Sequence, residues 1–99
     1  MEIVWSDFAI SNLKEIYDYY KENANHKVAK KIKSEIFQST NQLKIFPESG
    51  QIEFYLKKLN RNHRYLISGN YKIIYNIKGN QVLINDIFDV RRNPDKMLK

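Results

Sequence analysis

The sequence predicts an α+β domain: an N-terminal strand, an αα-hairpin, then a three-stranded antiparallel meander, with the helices packed on one face of the sheet. Three observations predict it. The stretch from His63 to Arg92 is filled with β-branched and aromatic residues and is interrupted at hairpin spacing by Gly69-Asn70 and Gly79-Asn80. Residues 6–46 instead show apolar positions at helical spacing, in two segments parted by Asn23-Ala24-Asn25. At 99 residues without a cysteine, the chain is one domain with neither disulfides nor the length for a second core.

Taken in order, Glu2 to Trp5 reads as a short strand, and Ser6 as the N-cap of a helix. Ala9, Leu13, Ile16, Tyr17 and Tyr20 form its apolar stripe, opposite Lys14, Glu15, Asp18 and Lys21. Asn25 caps a second helix striped by Val28, Ala29, Ile32, Ile36 and Leu43, which Pro47 and Gly50 close. Residues 51–62 mix apolar and cationic side chains without a period, and read as a loop with room for a short strand. The ending NPDKMLK has turn residues and no apolar period, so it reads as a tail.

The meander can be resolved to a register. A two-residue loop with glycine first suits a type II′ turn, whose twist matches the flanking strands. The first hairpin then sets Leu66 opposite Ile73 and His63 opposite Asn76; the second sets Tyr75 opposite Ile84 and Tyr71 opposite Phe88. Alternation puts Leu66, Tyr71, Ile73, Tyr75, Ile77, Val82, Ile84 and Phe88 on the helix-covered face. The opposite face carries an apolar strip of Ile67, Ile74, Leu83 and Ile87, bordered by His63, Tyr65, Lys72, Asp89 and Arg91. Left uncovered, such a strip marks a binding surface. Asp86 and Arg64 fall on the core face, where they either pair or signal a bulge that shifts the register.

Charge is distributed unevenly. Residues 1–50 hold seven basic and seven acidic side chains, whereas residues 51–99 hold ten basic and four acidic, so the second half carries the whole net charge of +6. That excess suits an anionic partner, nucleic acid or an acidic protein segment. No apolar run approaches the length of a membrane span and the N-terminus lacks the pattern of a signal peptide, so no membrane partner is expected and the cytoplasm is the expected location. Nothing has the spacing of a metal cluster, a phosphate loop or a nucleophile elbow, and no metal or cofactor is expected.

The order of elements, with the local signatures FAISNLKEIYDYY, IFPESG, RYLISGNYKIIYNI and INDIFDVRRNP, resembles the RelE/ParE superfamily of toxins from type II toxin-antitoxin modules. The resemblance covers nearly the whole chain. It implies a compact toxin whose open sheet face and C-terminal edge engage the target, and a cognate acidic antitoxin that wraps the same region in a hetero-oligomer. RelE-like members cleave mRNA in the ribosomal A site; ParE-like members poison DNA gyrase. Lys72 stands where the nucleases often carry an arginine, Arg91 or Arg92 near their fourth-strand arginine, and His63 and Tyr65 where some carry lysines. NPDKMLK has neither the Tyr nor the His with which many nucleases end, and VRRNP looks closer to a ParE-like HGRR ending.

Metal-free RNA cleavage needs a base, an acid and cations to hold the developing phosphorane charge. Lys72, Arg91, Arg92 and His63 are therefore the catalytic candidates, His63 because its unperturbed pKa lies near neutrality. Lys57, Lys58, Arg61, Arg64 and Tyr65 are candidates for target or nucleic-acid contact, and Ile67, Ile74, Leu83 and Ile87 for antitoxin contact. Each has a plain reading beside it: a surface histidine, a solvated strand end, a cationic rim. The expected function is a toxin acting by ribosome-dependent mRNA cleavage, with gyrase inhibition without chemistry, or a non-toxic antitoxin-binding module, as alternatives.

Overall fold

Local capping sets the helices. In the computed structural model, which describes residues 1–98, Glu2–Trp5 forms β1 and Asp7–Asn23 forms α1. Between them Ser6 is extended, and its hydroxyl accepts the Ala9 N–H at 3.0 Å. Asn25 likewise accepts the Val28 N–H at 2.8 Å and starts α2, His26–Ser39. Each cap satisfies an amide that a first helical turn leaves without a partner. The second apolar stripe does not continue as one helix to Leu43: α2 gives way to a 3-10 helix over Thr40–Lys44, which buries Leu43 completely.

The remaining strands are Gln51–Ile52 (β2), Arg64–Ser68 (β3), Tyr71–Lys78 (β4) and Gln81–Asp89 (β5). They form one five-stranded sheet in the order β1-β5-β4-β3-β2. The expected meander is its centre. Gly69 and Gly79 sit at φ +57° and +59°, while the asparagines after them do not adopt positive φ, which fits the glycine-first turn. Leu66 pairs with Ile73 and Tyr75 with Ile84, as the turns require. The N-terminal strand closes the sheet by parallel pairing with β5, Glu2 against Gln81 through Trp5 against Ile84.

The register of β4 and β5 shifts between Ile74 and Tyr75. Tyr75 opposes Ile84 but Ile74 opposes Asp86, so Asn85 is the extra residue of a bulge, and every later side chain of β5 changes face. Tyr71 consequently pairs with Asp89 rather than Phe88. Ile87, expected outside, joins the helix-covered core with Leu13, Ile36, Leu66, Ile73 and Val82, and Phe88 moves to the other face. Asp86 leaves the core and accepts a hydrogen bond from the Asn12 amide of α1 at 2.7 Å. Arg64 stays on the helix side, where its guanidinium donates to the carbonyls of Gly50 at 2.8 Å and Glu48 at 3.2 Å.

The outer face is not bare. Residues 51–62, read as a loop, supply β2 and a 3-10 helix over Phe54–Leu59, and the expected tail supplies another over Pro94–Leu98. Leu56 from the first, with Met97 and Leu98 from the second, packs on Ile74 and Phe88 in a second apolar cluster. Leu56 is buried and Met97 and Leu98 are half-buried; full burial of a side chain of this size contributes about 1.5–3 kcal/mol and partial burial less. That is reason enough for short segments of weak intrinsic preference to dock. Lys99, the last residue of the expected tail, lies outside the described residues.

Candidate functional site

Lys72 projects from near the start of β4 onto the outer face, where its ammonium lies 2.7 Å from a Glu53 carboxylate oxygen. The Glu53 side chain is 1% exposed and that of Lys72 17%. Glu53 is placed by its role in the chain: it precedes the 3-10 helix, its other carboxylate oxygen accepts the Tyr55 N–H at 3.2 Å, and its own N–H donates to the His63 carbonyl. The Lys72 ammonium also sits 4.2 Å from the centre of the Tyr65 ring and 5.8 Å from that of Tyr55. A cation held by a buried carboxylate and two ring faces is neutralised where it stands.

His63 does not reach the open face. It is 8% exposed, and its Nδ1 is buried without a hydrogen-bond partner among the described residues. Burial lowers its pKa below the ordinary histidine value, the nearby Arg61 guanidinium adds to that, and Glu53 opposes it in part. With its pKa so lowered it is a neutral ring, and it lines a cavity of about 240 Å³ with Leu56, Leu59, Ile74 and Met97.

Arg91 lies elsewhere. The bulge that turns Asp89 toward the helices takes Arg91 with it, and its guanidinium grips Asp89 through Nε at 2.9 Å and Nη2 at 2.7 Å. Nearby, the Tyr20 hydroxyl accepts that of Tyr71 at 3.3 Å. The bond to Arg91 holds the Asp89 carboxyl below its usual range, and burial together with Tyr20 pushes the Tyr71 phenol up. Tyr71, Asp89 and Arg91 line a cavity of about 370 Å³ between α1 and the end of β5. Arg92 lines it too, with its guanidinium 5.5 Å from the Phe88 ring.

The catalytic candidates therefore do not converge. Lys72 is on the outer face, Arg91 on the helix side, and His63 is buried beneath the outer-face cover, beside the cavity that Ile74 and Met97 line. Of the contact candidates, Lys57, Lys58 and Arg61 are exposed around the 3-10 helix, Lys57 lying 5.8 Å from the Phe54 ring. Arg64 is committed to the Glu48 and Gly50 carbonyls, and Tyr65 donates its hydroxyl to Gln51 at 3.0 Å. Of the four apolar residues expected on an open face, Ile67 is exposed and Leu83 half-buried, but Ile74 is covered by the 3-10 helices and Ile87 belongs to the core. Among the described residues there is no group of three or more potential metal ligands and no helix long and apolar enough to cross a membrane.

Sequence reasoning missed Glu53, the residue that decides what Lys72 can do. A signal existed: a lysine inside an apolar strand, in YKIIY, calls for a counter-charge, and the second half of the chain has only four acids.

A sheet of this order, with an αα-hairpin on one face and a glycine-turned meander at its centre, is the fold of the RelE/ParE superfamily. Residues 3–94 match the family described as the ParE toxin of the type II toxin-antitoxin system, parDE, and the chain belongs to that family. It is the toxin component of such a system, the counterpart of an antitoxin. Among solved structures it is similar to a chain of the chromosomal ParDE toxin-antitoxin system from P. aeruginosa. The TM-score there is 0.77 at 21% identity, covering 90% of this chain and 95% of that one. No curated protein sequence matches the chain significantly.

Proposed function

We propose that this protein inhibits DNA gyrase by binding it, with no chemistry of its own, and that an acidic antitoxin restrains it in the cytoplasm. The observation that carries this reading is the fate of the cations. Lys72 and Arg91, which a nuclease would aim at one phosphate, stand on different faces and each is engaged by a carboxylate at 2.7 Å. Cleavage requires such charges to be free and preorganised toward the transition state. Binding requires only a surface. Membership of the ParE family and the VRRNP ending favour the same target, whereas ribosome-dependent mRNA cleavage, the first expectation from sequence, has no support in the family.

The antitoxin surface is redrawn accordingly. Ile67 and Leu83 remain as apolar contacts; Phe54, 70% exposed, adds to the exposed apolar surface, with Lys57, Lys58 and Arg61 near it. A basic margin around exposed apolar side chains suits an acidic segment that folds as it binds. The function is tested by adding the purified protein to a gyrase supercoiling reaction and, separately, to a coupled translation reaction. The expected result is loss of supercoiling with translation intact. Arrested translation with codon-specific cuts in the mRNA, and gyrase unaffected, would refute the proposal.

A further inference from the structure

Packing beneath the outer cover is incomplete around one residue. His63 is buried, and among the described residues no hydrogen bond reaches either of its ring nitrogens. A polar ring buried in this way forfeits its hydrogen bonds to water, and native structures rarely leave one so. The ring stands in the wall of the 240 Å³ cavity described above, whose apolar walls come from four elements. Leu56 and Leu59 belong to the 3-10 helix over Phe54–Leu59, Met97 to the one over Pro94–Leu98, Ile74 to β4 and Phe8 to the first turn of α1. The ring also borders a smaller cavity of about 180 Å³, but there Glu53, Lys57, Asn60 and Asn62 supply polar partners for water.

We propose that the larger cavity is a binding site for a small neutral aromatic molecule carrying a hydroxyl, its ring among Leu56, Leu59, Ile74 and Met97 and its hydroxyl on the His63 imidazole. Size, charge and hydrogen bonding each narrow the occupant. An engineered apolar cavity of about 150 Å³ takes up benzene, so one of about 240 Å³ admits a single ring with its substituents. The flexible Met97 thioether favours an aromatic neighbour and adapts to its shape. An ion of either sign is disfavoured. Asp86 and Lys96 both line the cavity, and Arg61 and Glu53 both act on His63, so any charged guest has a like charge close by. A hydroxyl both donates and accepts, so it pairs with Nε2, the ring nitrogen that is not sealed off, whichever tautomer the neutral imidazole adopts. Water alone would leave the apolar walls wet, whereas an aromatic ring covers them. Such a guest bridges the two short helices of the outer cover, and the site is independent of which macromolecule the toxin attacks.

The test is an NMR titration of the full chain, labelled at methyl carbons and at nitrogen, with phenol as the probe and toluene, benzoate and benzylammonium as comparators. Phenol is expected to shift the methyl resonances of Leu56, Ile74 and Met97 together with the His63 imidazole nitrogens, and to bind more tightly than either ion. In His63→Leu, shown to be folded by its thermal melt, phenol should bind about 3–10-fold more weakly, the worth of one neutral hydrogen bond, while toluene binds no less tightly than to wild type. Shifts confined to other parts of the molecule, or none that saturates at millimolar phenol, overturn the proposal. So does tighter binding of benzoate or benzylammonium than of phenol, or an equal loss of phenol and toluene in His63→Leu. If His63→Leu does not fold, the wild-type titration decides by itself: methyl shifts without a change at the imidazole nitrogens refute the site as drawn, and the two together support it.

Discussion

Replacing Lys72 by methionine keeps the aliphatic stem and removes the charge, leaving the Glu53 carboxylate 1% exposed with a single backbone N–H at its other oxygen. At 2.7 Å the lost attraction is ~6 kcal/mol at an effective dielectric of about 20. Desolvation of both ions offsets most of that in the wild type, so the pair is worth little relative to apolar residues. Removing one partner nevertheless costs about 3–5 kcal/mol, because a buried charge is stranded. For a domain of this size that corresponds to a fall in Tm of about 12–40 °C, at ~4–8 °C per kcal/mol. Glu53→Gln should cost less, since Lys72 is closer to solvent and keeps the Tyr65 ring. The double variant Glu53→Gln/Lys72→Met should recover most of the loss, giving a coupling energy of about 2–3 kcal/mol. Urea melts of the four proteins measure the cycle. If Lys72→Met lowers stability by less than about 1 kcal/mol, the pair is not buried in solution. Lys72 is then free to serve a substrate, and the case against chemistry on this face falls.

Two further outcomes follow from single residues. His63 has a folded pKa below its unfolded value near 6.5, so the unfolded chain takes up the proton first. Stability should therefore be full above pH 6.5 and decline as pH falls from there toward the folded pKa. His63→Leu, which also removes the unpartnered Nδ1, should flatten that slope; urea midpoints at pH 7.5 and 5.5 that differ equally in both proteins would show that the histidine is not buried as described. At Gly50 a Cβ would stand 2.5 Å from the Tyr75 hydroxyl and 2.8 Å from the Tyr65 carbonyl oxygen. Gly50→Ala should cost about 1–3 kcal/mol by overpacking, and a melt indistinguishable from wild type would mean that the anchor of the 45–50 loop yields easily.

The fold was legible where local chemistry is decisive. Ser6 and Asn25 announce the helices because few residues can accept an amide at an N-cap. Gly69-Asn70 and Gly79-Asn80 fix two hairpins because few sequences turn in two residues. What escaped is non-local or periodless. Parallel pairing of Glu2–Trp5 with β5 joins strands separated by two helices and most of the meander, and nothing within EIVW specifies it. The two 3-10 helices on the outer face have no stripe to detect, since they bury Leu56 and partly bury Met97 and Leu98 against a floor supplied by other strands. For the site, the cationic residue types were legible but their partners were not. Glu53 reaches Lys72 across 19 positions, and only the folded loop brings it there.

The bulge has the widest consequence. Without Asn85 as an extra residue, strict alternation would put Ile87, Asp89 and Arg91 beside Lys72, on one face with a cationic rim, and the surface would resemble the one an RNA phosphate needs. With it, Asp89 and Arg91 turn toward Tyr20 and Tyr71, and Phe88 turns outward to hold the 3-10 helices in place. The same cations are present in either register. One residue of strand length thus separates a face that could gather charge around a phosphate from one whose charges are spent internally. The second arrangement favours the proposed action by binding over action by chemistry on this face.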